Sequence, residues 1–318
     1  MYRAAVAVMV WLACAGALAW PASAQYFGRN KVRYENLSFQ VLQTPHFDIH
    51  YYPEERNAVE TAATLAERWY ARLSAEFDYT FDRRQPLVLY ASHSHFTQTT
   101  VVPNSIDEGT GGMTDYVRGR IVMPFASGLR ETEHILGHEL VHAFQRDILR
   151  RRGRSLAPLP LWYVEGMAEY IAMGRIDPHT SMWIRDAVRT GRLPALEALD
   201  DAEYFPYRYG QALWAFLSEA YGDEVAARSL RSTAKGGAIG RLVDTTGATS
   251  DELSAAWHRF LKARGGHATG GGPRPGAAAC RQGDATQSRS RAQPRWLADR
   301  FPVRSRSVLD RRVPRRCV

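Results

Sequence analysis

The chain has 318 residues, 45% of them hydrophobic and 23% charged, an ordinary globular balance sufficient for one large domain or two small ones. Its formal charge is +8, but residues 265–318 hold 12 Arg and no Lys against 3 Asp and no Glu, so that tail carries +9 and the preceding 264 residues sum to −1. The basic balance therefore does not describe the folded body, and with three cysteines in all the body is not built on disulfides either.

The N-terminus reads MYRAAVAVMVWLACAGALAWPASAQ. One Arg precedes an apolar run from Ala4 to Trp20, followed by Pro21 and the small-residue signature Ala22-Ser23-Ala24. That order predicts a secretory signal peptide over residues 1–24, cleaved after Ala24. The alternative is an uncleaved anchor, for which the run is slightly short. Trp11-Leu12-Ala13 makes a poor site for lipid attachment at Cys14. The mature chain is expected to be exported, periplasmic or secreted, without a transmembrane anchor. Its two remaining cysteines, Cys280 and Cys317, both fall in the tail.

Along the body, SFQVLQTPHFDIHYY at 38–52 alternates apolar and polar residues around Pro45 and predicts two short strands or one bent strand. Residues 54–77 fit a long amphipathic helix with an acidic first turn. PLVLYAS at 86–92 reads as a buried strand, and GGMTDYVRGRIVMPF at 111–125 as a strand pair after a Gly- and Asn-containing loop. From Thr132 onward apolar periodicity predicts helices near 131–150, 162–174, 181–191, 208–221, 223–234 and 250–264. A small mixed sheet followed by a mainly helical half is an α+β architecture.

The tail, 265–318, has little periodicity and is expected to be disordered. One reading makes it a basic arm for nucleic acid or anionic lipid. No RNA motif or DNA-reading helix accompanies it, and nucleic acid is not an expected partner. Another reading is a frame error or truncation, in keeping with a body that uses Lys only at 31, 235 and 262.

Chemistry concentrates in HILGHELVHAFQRD at 134–147. His138-Glu139-Leu140-Val141-His142 is an H-E-x-x-H sequence. On a helix, His138 and His142 project from one face, one turn apart, where two imidazoles can bind one tetrahedral ion. Glu139 sits beside them, placed to take a proton from a metal-activated water. A match this short occurs by chance in on the order of 1–2% of such chains, and the alternative is a helix whose histidines are surface or core residues. The second observation is LWYVEGMAEY at 161–170, where Glu165 follows His142 after 22 residues on another predicted helix. Such a carboxylate can complete a three-ligand site. Glu169, one turn further on, can hydrogen-bond a ligating imidazole from behind, or be a solvated surface charge. His134 adds a third histidine to the same face; one straight helix cannot offer all three to a tetrahedral ion, so it is read as a neighbour of the ligands or a surface residue.

H-E-x-x-H followed by E-G-x-A-E-Y resembles the gluzincin metallopeptidases, within them the peptidase-MA-like domains related to aminopeptidase N and thermolysin. The resemblance covers roughly residues 25–264 and implies a zincin-like fold. It also implies one Zn2+ per chain on His138, His142 and Glu165, Glu139 as general base, and a peptide or protein substrate. It further points to Gly111, Gly112 and Met113 as the start of a substrate-binding strand. Thr114 stands where aminopeptidase-like relatives have an amine-anchoring Glu, which argues against a strict aminopeptidase. Tyr207, as Tyr-x-x-Gly with Gly210, matches the position of a transition-state-stabilising Tyr. Tyr209 competes for the role, and both can be packing aromatics. The opening QYFGRNKVRYENLSFQVLQTPHFDIHYY is similar to exported bacterial proteins in which such a domain precedes a TolB-like β-propeller. The expectation is therefore an exported zinc metallopeptidase. The alternative is a catalytically silent zinc-binding module associated with a propeller partner or missing domain.

Overall fold

The computed structural model describes residues 37–101 and 106–266. The signal peptide expected at 1–24 and the tail beyond Gly266 lie outside the described residues. The chain divides into two units, Met1–Gly270 and Gly271–Val318, and every described residue belongs to the first.

The predicted α+β architecture is present. Five strands, β1 (Gln40–Gln43), β2 (Phe47–Tyr51), β3 (Gln85–Tyr90), β4 (Met113–Asp115) and β5 (Arg120–Pro124), form one sheet in the order β1-β2-β3-β5-β4. The inner pairs β2–β3 and β3–β5 are parallel, and the outer pairs β1–β2 and β4–β5 are antiparallel. In register, Ile49 faces Leu87 and Leu87 faces Ile121. All three are buried, so the strand alternation read in the sequence gives one continuous apolar row. Pro45 falls in the turn between β1 and β2, which resolves the choice in favour of two strands.

Helix α1 (Arg56–Phe77) makes the crossover from β2 to β3 and buries Val59, Ala66, Trp69, Tyr70, Leu73 and Phe77. Its predicted acidic first turn is instead a 3-10 turn, Pro53–Glu55, because Pro53 leads the chain in before regular helix begins. A short α2 (His93–Phe96) follows β3. The helical half consists of α3 (Leu129–Arg150), α4 (Leu161–Met173), α5 (Pro178–Thr190), α6 (Pro206–Tyr221), α7 (Val225–Arg231), α8 (Gly237–Thr246) and α9 (Ser250–Gly266).

Two differences from the sequence reading have local causes. The helix expected over 223–234 is shorter because the chain leaves it at Ser232, whose hydroxyl donates to Asp244 at 2.6 Å. Helix α8 was not anticipated: its apolar face buries only Ala238 and Leu242, too few to show a period. What secures it is Arg241, which is buried and donates to the carbonyls of Ser229, Leu230 and Ser232, capping the end of α7. Among the described residues no helix is long and apolar enough to cross a membrane.

Candidate metal centre

Three helices deliver the site. Helix α3 leaves the sheet behind β5 and carries His138, Glu139 and His142, all buried although polar. The chain turns at Pro158 and Pro160 and returns as α4, bringing Glu165 to α3. Helix α6 then crosses α4 where Gly166 meets Gly210. A Cβ on Gly166 would overlap the Gly210 backbone, and one on Gly210 would overlap the Trp162 carbonyl. Only glycine lets the two helices approach so closely. That contact sets Tyr207, on the first turn of α6, beside the candidate ligands of the other two helices.

Three atoms converge. His138 Nε2 and His142 Nε2 each lie 3.1 Å from Glu165 Oε2, and 3.1 Å from one another. On a tetrahedral ion with ligand bonds of about 2.0–2.1 Å, neighbouring donors are about 3.3 Å apart. The triangle therefore fits a small cation, with donor types, two imidazoles and a carboxylate, that suit a divalent transition metal. Among the described residues these form one of two groups of His and Glu close enough to hold a metal ion; the other is His134, His138 and Glu169.

The electrostatics agree. Burial opposes a charge on His142, but Glu165 beside it, with Glu139 and Gln145, raises the imidazolium to about 9. Burial also opposes the Glu165 charge, yet His142 and His138 hold it well below the usual carboxylate range. Positive charge is thus favoured around an ionised Glu165, which is the balance a cation satisfies.

The ligand candidates are held from behind. His142 Nδ1 pairs with Gln145 Oε1 at 2.8 Å, and Gln145 Nε2 donates to the Val164 carbonyl of α4 at 3.0 Å. An amide oxygen there requires Nδ1 to carry the proton, which leaves the Nε2 lone pair for a metal. Glu169 lies behind His138, Oε1 at 3.5 Å from its Nδ1, and the other oxygen is 3.5 Å from both His134 Nε2 and Arg208 Nη1. Glu169 is thus a buried partner of His138 rather than a solvated surface charge, and His134 pairs with Glu169 outside the triangle.

Glu139 points to β4, where the Thr114 hydroxyl donates to its Oε2 at 2.8 Å. Gly112 packs against the same side chain: a Cβ there would lie 3.0 Å from Glu139 Cγ. Gly111 and Gly112, expected within the strand pair, precede β4, which begins at Met113. The Tyr207 ring stacks near His138, centroids 6.1 Å apart and planes 16° from parallel. Burial, then the charge and hydrogen bond of Glu165, push its phenol pKa up, so it stays protonated at neutral pH. Tyr209 packs instead against Tyr204 and Trp183, away from the triangle.

Sequence reasoning missed Gln145, the Thr114 contact and Tyr116. Gln145 had a readable signal, one helical turn after His142. Tyr116, whose ring centroid lies 6.4 Å from that of His142, had none. No protein-family model and no curated protein matches the chain, so this geometry stands without support from a relative.

Proposed function

We propose that the chain is an exported zinc-dependent metallopeptidase with a zincin-like fold, hydrolysing peptide bonds with Glu139 as general base. The observation that carries this is the 3.1 Å triangle of His138, His142 and Glu165 with a buried, unligating Glu139 on the neighbouring position of the same helix. Structural zinc sites use a fourth protein ligand and have no need of a base. Zinc held by these residues would supply a Lewis acid that polarises a carbonyl and brings the pKa of water toward about 7.

The protein's own groups account for the rest. Glu139 accepts the proton of the attacking water and returns it to the leaving amine. Thr114 fixes the carboxylate for that task through Oε2. Tyr207, kept protonated, donates a hydrogen bond to the oxyanion that develops on the carbonyl. Among the described residues strand β4 is the outermost of the sheet and pairs only with β5. Its free edge beside Glu139 suits an extended peptide, which can add as a further strand. With Thr114 turned to Glu139, position 114 has no carboxylate to anchor a free amino terminus, which favours cleavage within chains.

Glu139→Gln tests the proposal directly. The variant is expected to bind one zinc per chain, as wild type does, and to hydrolyse a peptide library at least about a hundredfold more slowly. Equal turnover by the two proteins, or no metal in either, would refute it.

A further inference from the structure

On the Glu165 side of the candidate metal centre lies a cavity of about 330 Å³, lined by Arg146, Arg150, Arg154, Leu159 and Leu161, with Glu165, the metal-facing carboxylate, as its one acidic wall. The three arginines follow one another every four residues along the end of α3 and the turn after it. Arg150 bonds Asp147 through both Nε (3.0 Å) and Nη2 (2.6 Å), whereas Arg146 and Arg154 have no ion pair among the described residues. Arg146 donates to the carbonyls of Tyr116 (2.6 Å) and Val117, and Arg154 to those of Ser232 (2.8 Å) and Thr233. Carbonyl groups aim a guanidinium without neutralising it. Asp147 pairs with Arg150 at 2.6 Å, but it is shared with Arg151 and with the Tyr79 hydroxyl. Burial first, then the charge of Arg150, lowers Arg146 against the opposing pull of Asp147 and Asp115.

The cleft on the opposite side, bounded by Gly111, Gly112, His134, Glu139 and Tyr207, differs. Its arginine, Arg208, lies 3.5 Å from Glu169 and 3.4 Å from Asp177, so its charge is met twice. Glu139 opens onto that cleft, and as the group that protonates the leaving amine it assigns the amine half of a substrate there. The acyl half then lies toward Glu165 and the arginines. That pocket offers aliphatic walls from Leu159 and Leu161 and guanidinium groups above them, which match the methylene stem and carboxylate of an acidic side chain.

We propose that the arginine-lined cavity is a specificity subsite for a Glu or Asp side chain on the acyl side of the scissile bond. This deepens the peptidase reading and rests on it. The test uses the full-length, zinc-loaded protein and quenched-fluorescent peptides in matched pairs, with Glu or Gln at each of three positions on either side of the cleaved bond. At one acyl-side position Glu should raise kcat/KM about tenfold over Gln. Arg150→Glu should abolish or invert that ratio, and Arg154→Gln should reduce it. Arg154 also braces backbone, so Arg150, which is half exposed, provides the variant that keeps its fold; bound zinc and circular dichroism check it. Equal rates at every acyl-side position, a preference confined to the amine side, or a ratio untouched by Arg150→Glu would each overturn the assignment while leaving the peptidase intact. Should no peptide be cleaved, the peptidase reading falls, and fluorescence anisotropy of the same pairs decides the pocket alone. Tighter binding of the Glu peptide, lost in Arg150→Glu, would support it; equal binding would dispose of it.

Discussion

Among single residues, Gln145 shows how a ligand's chemistry is set from behind. Its amide oxygen accepts the hydrogen bond from His142 Nδ1–H and its amide nitrogen donates to Val164, so one side chain fixes both the tautomer of a candidate ligand and the approach of the helix that carries Glu165. Gln145→Leu removes both hydrogen bonds at similar volume. It is expected to weaken zinc binding about 10–100-fold, measured by competition with a chromophoric chelator. Gln145→Glu restores the acceptor for His142 Nδ1 but sets a carboxylate oxygen against the Val164 carbonyl, so it should recover only part of that loss. The ligand candidates themselves were legible in the sequence, because i,i+4 spacing on a helix is a geometric statement that needs no tertiary structure. Gln145 was equally near in sequence, but its role depends on meeting a carbonyl of a different helix. The same holds for Thr114: the sequence showed which side chain was missing from position 114, and only the fold shows that the hydroxyl present there reaches Glu139.

Between elements, the site depends on two close approaches. The crossing of α4 and α6 at Gly166 and Gly210 sets Tyr207 against His138, and neither glycine has room for a methyl group. Gly210→Ala should cost about 1–3 kcal/mol in denaturant unfolding and lower kcat more than zinc affinity, since it displaces the helix of Tyr207, whereas Gly166→Ala, next to Glu165, should lower both. The second is the β4–β5 hairpin that presents the edge strand. Asp115 Oδ1 accepts from the backbone N–H of Val117 and Arg118, each at 3.0 Å, and Oδ2 from Arg120 at 3.1 Å. Burial opposes the charge, but these hydrogen bonds and Arg120 outweigh it and lower the carboxyl below 3.8. A carboxyl whose pKa is depressed by folding stabilises the native state above its unfolded value and loses that contribution as pH falls through the folded one. Wild type should therefore exceed Asp115→Ala in stability by about 1–2 kcal/mol at pH 7. The gap should close below pH 3.8, read from urea midpoints across the acid range. Strands and long helices were readable from periodicity; the hairpin's turn chemistry and the Gly–Gly crossing were not, because each is a contact between segments rather than a pattern within one.

For the whole molecule, the sheet half and the helical half make different contributions that meet at α3. The sheet supplies β4 and Thr114, which hold Glu139, the proposed base; the helices supply Glu165, which completes the triangle, and Tyr207, which stacks near His138. A cation on the triangle would therefore link α3 to α4, and binding to the native state alone stabilises it by mass action, about 2.7 kcal/mol at a hundred times Kd. For a domain of this size that corresponds to roughly 5–10 °C in thermal midpoint. Chelation should lower the wild-type midpoint by that amount and zinc should restore it, whereas Glu165→Ala should melt at one temperature under both conditions. Glu139→Gln separates a catalytic centre from a purely structural one. If zinc serves catalysis, this variant keeps the full thermal response to metal while its turnover is lost. A zinc-stabilised binding module predicts the same thermal response with no turnover to lose in the wild type. His134→Ala completes the comparison: with His134 paired to Glu169 outside the triangle, it should retain one zinc per chain and the full shift. Loss of metal in that variant would move the centre to the His134, His138 and Glu169 group instead.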